Sequence, residues 1–248
     1  MKQNNWFDPF HIQSHLSEEE LGIQKNVRQF CEKELRPSVV EMNRKNQFNV
    51  SLYPEFGSLG VLGQTVKSHG GSGTSNLAYG LVAYEFEKID SSYRSSISVQ
   101  SSLVIHPINE FGSKDQKDKY LPELINGKKI GCFGLTESEA GSDPSSMKTT
   151  FKETKDGYIL NGSKNWITNA PIADIFIIWA LEENKDHKSI KGFILEKNFK
   201  GLKTSHIENK TSLKISPTGQ IILDNVFVPK DSLLENTSGW KSVFSCLK

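Results

Sequence analysis

The segment with the residues best suited to ligand chemistry is 131–137 (GCFGLTE), which reads as a strand ending in a polar, turn-prone stretch. Extended backbone presents amide and carbonyl groups that can match the edge of a flat heterocyclic ring, and the Thr136 hydroxyl can reach a ring oxygen or nitrogen. Gly141-Ser142-Asp143-Pro144 then lets the backbone approach a ligand closely, because glycine tolerates unusual dihedral angles and proline fixes the turn.

A second segment, 157–168, supplies a large apolar plane at Trp166 and another hydroxyl at Thr168. The pair Asn161-Gly162 predicts a hairpin here, because both residues favour the positive φ angles of a type I′ turn. Side chains two residues apart in a strand share a face, so Trp166 and Thr168 are expected on the same side. Taken alone, Trp166 is explained better by an ordinary hairpin with a core tryptophan.

The first half of the chain, which must position these segments, has the apolar spacing of helices. Ser17 and Glu20 predict a capping box, Ser75 is placed to cap a second helix, and Ser113 opens a third. The serine-rich helix before Pro107 is predicted to end there, because proline disfavours continuation of a helix.

The second half has an extended pattern, and several short strands separated by turn signals favour a closed or nearly closed antiparallel barrel. Beyond the two segments above, strands are predicted over 173–181, 192–196, 202–207 and 220–228. The predicted architecture is α+β: an N-terminal α-helical domain over 1–130, then a small antiparallel β-barrel over 131–238. Residues 239–248 resemble the first turns of a further helix.

Composition argues against several classes of protein. The net charge of +1, from 30 basic and 29 acidic side chains, lacks the basic excess expected of a nucleic-acid binder. No apolar run approaches the roughly 20 residues of a membrane helix. There is no dinucleotide-binding GxGxxG, P-loop or HExxH motif, and the three distant cysteines offer no zinc site or disulfide framework, so no metal is expected.

Three motifs in order, FGLTE at 133–137, GSD at 141–143 and WITN at 166–169, resemble those of the flavin-dependent acyl-CoA dehydrogenases. The resemblance covers essentially the whole chain and implies a helical domain, a β-barrel and a second helical domain, with FAD as cofactor. It implies that the flavin is lined by Phe133, Gly134, Leu135, Thr136, Gly141, Ser142, Trp166, Ile167 and Thr168.

Within that family, the chain resembles specifically the glutaryl-CoA dehydrogenases. The resemblance lies in the segments 93–103, 132–137, 192–197 and Trp6-Phe7-Asp8-Pro9. This resemblance implies that Arg94 and Ser95 meet the distal carboxylate of the substrate, and that Ser142 also faces the CoA ester. Taking a carboxylate into an apolar acyl pocket is costly unless a fixed cation receives it, and the planar fork of arginine suits that purpose. Glu87 lies two turns before Arg94 and can orient its guanidinium if the helix is unbroken.

The resemblance implies oxidative decarboxylation of glutaryl-CoA to crotonyl-CoA and CO₂, as in lysine and tryptophan degradation. A glutamate of the second helical domain removes the α-proton, and an electron-transfer flavoprotein accepts the electrons. The complete enzyme is expected to be a homotetramer, in the mitochondrial matrix of a eukaryote or the cytoplasm of a bacterium.

No candidate for the catalytic glutamate follows the barrel, so we expect a truncated chain that does not turn over glutaryl-CoA. Two alternatives stay open. The first is another short-chain acyl-CoA dehydrogenase, and the second is a non-catalytic remnant or a partial gene model.

Overall fold

The computed structural model describes residues 8, 11–186 and 189–247. Of the segment Trp6-Phe7-Asp8-Pro9, all residues except Asp8 lie outside the described residues. Helices come first, a seven-stranded sheet follows, and a short helix ends the described chain. The predicted order of helical domain and then strands is confirmed.

Within the described residues, the helical part consists of seven α-helices, two of which continue into π turns. The α-helices are α1 (Glu18–Phe30), α2 (Val39–Lys45), α3 (Leu52–Ser58), α4 (Asn76–Glu87), α5 (Ser91–Ser98), α6 (His106–Phe111) and α7 (Lys114–Ile125). The π turns are Cys31–Leu35 after α1 and Val99–Ile105 after α5.

Side-chain caps fix the starts of three helices, as predicted. The Ser17 hydroxyl accepts from the Glu20 amide at 3.2 Å, and the Ser75 hydroxyl accepts from the Ala78 amide at 3.0 Å. Ser113 caps α7 in the same way. These oxygens satisfy amides that the first helical turn leaves without a partner.

The helix that begins at α5 does not end at Pro107, and that prediction was wrong. The chain passes from α5 through the second π turn directly into α6, which contains Pro107 in its first turn. Proline lacks the N–H for the usual bond to residue i−4, and the π turn before it takes up an extra residue, so the backbone stays helical.

The sheet curls into a half-barrel. Its strands are β1 (Gly131–Gly134), β2 (Thr150–Glu153), β3 (Gly157–Thr168), β4 (Ile175–Glu182), β5 (Ile190–Glu196), β6 (Leu202–His206) and β7 (Thr218–Pro229). The order is β1-β4-β2-β3-β7-β6, with β5 on the other edge of β4. A last helix, α8 (Trp240–Ser245), follows.

The sheet is mixed, whereas the sequence predicted antiparallel strands throughout. Strands β1 and β2 run parallel to successive stretches of β4, and the remaining pairs are antiparallel. A parallel pair needs a long connection, which the chain between β1 and β4 supplies because it contains β2 and β3. The alternation of side chains locates strands in a sequence but does not give their direction.

Strand β3 continues through Asn161 and Gly162, with a register shift against β7 between Leu160 and Gly162, so the hairpin predicted there is wrong. Gly162 has a φ of 144°, but Asn161 does not have the positive φ that a type I′ turn requires. A Cβ on Gly162 would lie 2.4 Å from the Thr149 hydroxyl oxygen. Glycine is therefore needed here for close approach of neighbouring backbone rather than for a turn.

A buried glutamine joins the helical layer to the start of β1. Gln100 is fully buried, and its side-chain oxygen accepts from the Gly131 amide at 2.8 Å. Its side-chain nitrogen donates to the carbonyl oxygens of Leu124 and Lys129, both at 2.9 Å. Because every polar group of this amide meets backbone, β1 is held in one position against the second π turn.

Candidate flavin site

The ends of β1 and β3 and the π turn Val99–Ile105 border a cavity of about 330 Å³. Most of the predicted flavin wall lies in its lining: Phe133, Leu135, Thr136, Gly141, Ser142, Trp166, Ile167 and Thr168. Gly134 is not in the lining, and a Cβ there would lie 2.6 Å from the Ile178 side chain inside the sheet. The fold thus brings two segments that are about thirty residues apart to one cavity.

The cavity combines an apolar wall with several unengaged hydroxyls. Phe133 and Leu135 are each 7% exposed, and Phe133 packs edge-on against the ring of Trp179. Thr136, Ser142 and Thr168 also line the cavity, and their hydroxyls have no hydrogen-bond partner among residues 8, 11–186 and 189–247. Such a lining suits a flat ring that is apolar on its faces and polar at its edge.

Trp166 has an unusual backbone conformation at the edge of this cavity. Its φ is 59°, and the β3–β7 register shifts between Lys164 and Ile167, so a bulge interrupts the strand. The Asn165 side chain accepts from the Trp166 amide at 3.0 Å, and the Asn165 amide donates to the Thr136 carbonyl at 2.8 Å. The bulge is therefore tied to the segment that follows β1.

The tryptophan is 59% exposed, so the core-tryptophan interpretation is wrong. A left-handed backbone costs a non-glycine residue about 1–2 kcal/mol, and little burial of the side chain compensates for this cost here. Strain of this kind concentrates at ligand sites. The residues that produce it, especially Asn165, are not apparent from the alternation of the strand pattern.

A buried ion pair supports the wall from behind, and no motif in the sequence points to it. Lys164 is fully buried and donates to a carboxylate oxygen of Glu137 at 2.8 Å. Glu137 also accepts from the backbone amides of Lys148 and Thr149, at 2.6 and 3.0 Å. The sequence around Lys164 does not indicate that this side chain is buried. Its burial, which identifies the pair, is seen only in the folded structure.

The two partners show opposing influences on their pKa values. Burial lowers the pKa of Lys164 to about 8, although Glu137 raises it. Burial raises the pKa of Glu137, but Lys164 and the two backbone amides outweigh it and hold that pKa below its ordinary value. The geometry favours a charged pair, because three donor groups, the Lys164 ammonium and two backbone amides, converge on the Glu137 carboxylate.

The predicted acyl-carboxylate residues lie beside the cavity rather than in its lining. The helix between Glu87 and Arg94 is broken, since α4 ends at Glu87 and Asp90 caps α5. The Arg94 guanidinium nevertheless donates to Glu87 at 2.8 Å. Hydrogen bonds from Ser91 and then from Arg94 lower the pKa of the Glu87 carboxyl.

Arg94 and Ser95 are half-buried and lie on α5, whose continuation supplies Val99 and Leu103 to the cavity lining. Arg94 therefore precedes the first lining residue of this helix, Val99, by five residues. The structure brings Glu87 and Arg94 together, while Ser142 lies with the flavin wall.

The part of the chain that the structure describes shows neither a metal-binding cluster nor a membrane-spanning helix. It contains no cluster of three or more His, Cys, Asp or Glu side chains arranged to hold a metal ion. None of its helices has both the length and the apolar character needed to cross a membrane.

The chain belongs to the acyl-CoA dehydrogenase family. The family's N-terminal domain matches residues 17–128, and its middle domain matches residues 132–226. The chain is 34% identical over 222 residues to a short-chain specific acyl-CoA dehydrogenase of Clostridium acetobutylicum, covering 89% of this chain and 59% of that protein.

Two solved structures are similar over nearly the whole chain. A glutaryl-CoA dehydrogenase from Mycobacterium smegmatis in complex with FADH2 matches with a TM-score of 0.93 and 39% identity, over 96% of this chain and 61% of that one. A chain from a structure described as the electron transferring flavoprotein of Acidaminococcus fermentans matches with a TM-score of 0.88 and 35% identity, over 94% and 62%. The chain therefore spans about three fifths of the length of these relatives.

In a strand, alanine is ordinarily more stabilising than glycine, and the backbone strain at Trp166 predicts the opposite order at this position. Trp166→Gly is expected to be more stable than Trp166→Ala by about 1 kcal/mol, because alanine must still adopt the left-handed backbone. Ile222 on β7 is also exposed but is not among the positive-φ residues, so Ile222→Ala should be more stable than Ile222→Gly. Urea unfolding of the four variants measures both differences, and the same order at both positions would contradict the assigned strain.

Proposed function

We propose that this chain forms the flavin-binding wall of an FAD-dependent acyl-CoA dehydrogenase that oxidises and decarboxylates glutaryl-CoA. The observation that carries the proposal is the cavity in which Trp166, in a strained and exposed position, meets the free hydroxyls of Thr136, Ser142 and Thr168. An exposed tryptophan held in a strained backbone conformation at the edge of a cavity is typical of a ligand site.

The residues of the cavity fit an isoalloxazine ring. Phe133 and Leu135 offer apolar contact, Trp166 offers a plane, and the threonine hydroxyls can bond to oxygen and nitrogen atoms at the ring edge. FAD, when bound, supplies an acceptor for the hydride that leaves the acyl chain. The role of this chain is to hold the ring, exclude water from its apolar side and, through Ser142, approach the thioester.

The choice of glutaryl-CoA depends on Arg94. Its guanidinium donates to Glu87 at the end of α4, and Arg94 itself lies on α5, which continues into the π turn that borders the cavity. We infer that it receives a carboxylate at the far end of a short acyl chain. Ser95 adds a hydroxyl at the adjacent position. The similarity to a glutaryl-CoA dehydrogenase structure supports the same substrate.

A straight-chain acyl-CoA without the second carboxylate is the alternative substrate, and the similarity to a short-chain dehydrogenase favours it. In either case the electrons are proposed to pass to an electron-transfer flavoprotein, and the complete enzyme is proposed to be a homotetramer. The flavin wall is common to both substrates, so the two possibilities differ only at Arg94 and its neighbours.

Binding of FAD tests the flavin assignment. The 248-residue chain is expected to quench the fluorescence of added FAD, and Trp166→Ala should weaken binding about 10- to 100-fold by removing a large contact area. Tyr84→Ala is the control, because Tyr84 is 54% exposed on α4 and lies outside this lining. Equal affinities for the two variants, or the absence of binding by the unmodified chain, would contradict the assignment.

Substitution of Arg94 tests the substrate assignment. Arg94→Gln is expected to weaken binding of glutaryl-CoA about 10- to 100-fold while leaving butyryl-CoA unchanged, because a charge-assisted hydrogen bond contributes about 1.5–3 kcal/mol. Arg36→Gln is a matched control, since Arg36 is also a part-exposed arginine paired with a glutamate. Calorimetric titration with both thioesters gives the affinities. A similar loss for both ligands would favour the straight-chain substrate.

A further inference from the structure

The Lys164 ammonium contacts a backbone carbonyl of the cavity wall as well as its carboxylate partner. Besides Glu137, its ammonium donates to the Leu135 carbonyl oxygen at 3.1 Å and lies 3.8 Å from the Met147 sulfur. Its stem passes Gly134, where an added Cβ would lie 3.2 Å from the Lys164 Cγ. A positive charge is thus fixed directly behind the peptide group that joins Leu135 to Thr136.

That peptide group connects the buried charge to the cavity. The bond is trans, so the Thr136 N–H points away from the carbonyl that Lys164 contacts. Thr136 lines the cavity, and its N–H has no hydrogen-bond partner among the described residues. A cation at the carbonyl end of a peptide withdraws electron density from it, which makes the N–H at the other end a stronger donor.

We propose that Lys164 is a positioning residue that acts through the Leu135–Thr136 peptide, strengthening the Thr136 N–H as a donor to the negatively charged pyrimidine edge of a reduced flavin. The inference rests on the proposed function, because it takes the ring to lie in this cavity. Reduction by two electrons increases the electron density of that edge, and charge placed near it tunes the ring. Lys164 therefore favours the reduced over the oxidised cofactor without touching either.

Glu137 and Lys148 also lie near Lys164, but neither is expected to polarise the Leu135–Thr136 peptide. Glu137, on the turn after β1, neutralises the pair as a whole, and its carboxylate is engaged by Lys164 and two backbone amides. Lys148 points to the exposed Glu139, and that pair is 74% and 72% exposed, so solvent screens it. The effect therefore depends on the direction of the Lys164 hydrogen bond rather than on net charge.

A double substitution that leaves the net charge unchanged separates the effect of the Lys164 hydrogen bond to the Leu135 carbonyl from any effect of net charge. Lys164→Met with Glu137→Gln removes both charges, so the net charge of the pair stays at zero while the contact to the Leu135 carbonyl is lost. Lys148→Met with Glu139→Gln is the matched control, because it removes a neighbouring pair that solvent already screens. The measurement is the dissociation constant of each protein for FAD and for dithionite-reduced FAD, with circular dichroism as a check on folding.

The preference for reduced over oxidised FAD is expected to fall about tenfold in the Lys164/Glu137 double variant, which corresponds to a potential lower by about 30 mV for a two-electron couple. The Lys148/Glu139 control should keep the preference of the unmodified protein. Equal preferences in all three proteins would overturn the inference while leaving the flavin site intact. If the unmodified protein bound neither form of FAD, the proposed function itself would fail.

The unmodified protein offers a second test that does not require a variant to fold. Because burial lowers the pKa of Lys164 to about 8, its charge is present below that pH and is lost as the pH rises through it. The ratio of affinities for reduced and oxidised FAD should therefore fall between pH 7 and pH 9. The same ratio should be flat over this range in the double variant, and a flat ratio in the unmodified protein would contradict the role of Lys164.

Discussion

The structure around the candidate site depends on one lysine ammonium that has no contact with solvent. Removing Lys164 alone would leave Glu137 as an unpaired buried charge, which costs about 3–5 kcal/mol in comparable pairs. A hydrophobic pair of similar size would be stable without that risk, so the ion pair is poorly explained by stability alone. The contact between Lys164 and the Leu135 carbonyl accounts for the ion pair better, because that contact fixes the peptide at the cavity edge.

Two further sets of hydrogen bonds also fix the residues around the cavity. Gln100 uses both polar atoms of its amide to hold the start of β1 against the helices, and Asn165 holds the Trp166 bulge against the end of that segment. The wall is thus fixed from the helical side, from β3 and from behind. A ring that enters the cavity meets groups whose positions are already set, which lowers the entropic cost of binding.

Local rules in the sequence predicted much of this arrangement, and their failures have physical causes. Ser17 and Ser75 cap helices as predicted, because capping involves residues only three apart. The Asn161-Gly162 hairpin failed because the same glycine that suits a turn also permits close packing of Thr149. The conformation of Trp166 and the burial of Lys164 depend on contacts across the sheet, and no short stretch of sequence encodes those contacts.

The central proposal is that a flavin ring lies against the segment after β1, with its polar edge at Thr136. The most direct test is a crystal structure of the chain with FAD bound. The pyrimidine edge of the ring is expected to lie within hydrogen-bond distance, about 2.7–3.2 Å, of the Thr136 amide nitrogen, with Trp166 beside the ring. A structure in which the isoalloxazine lies elsewhere, with the cavity occupied only by solvent, would contradict it.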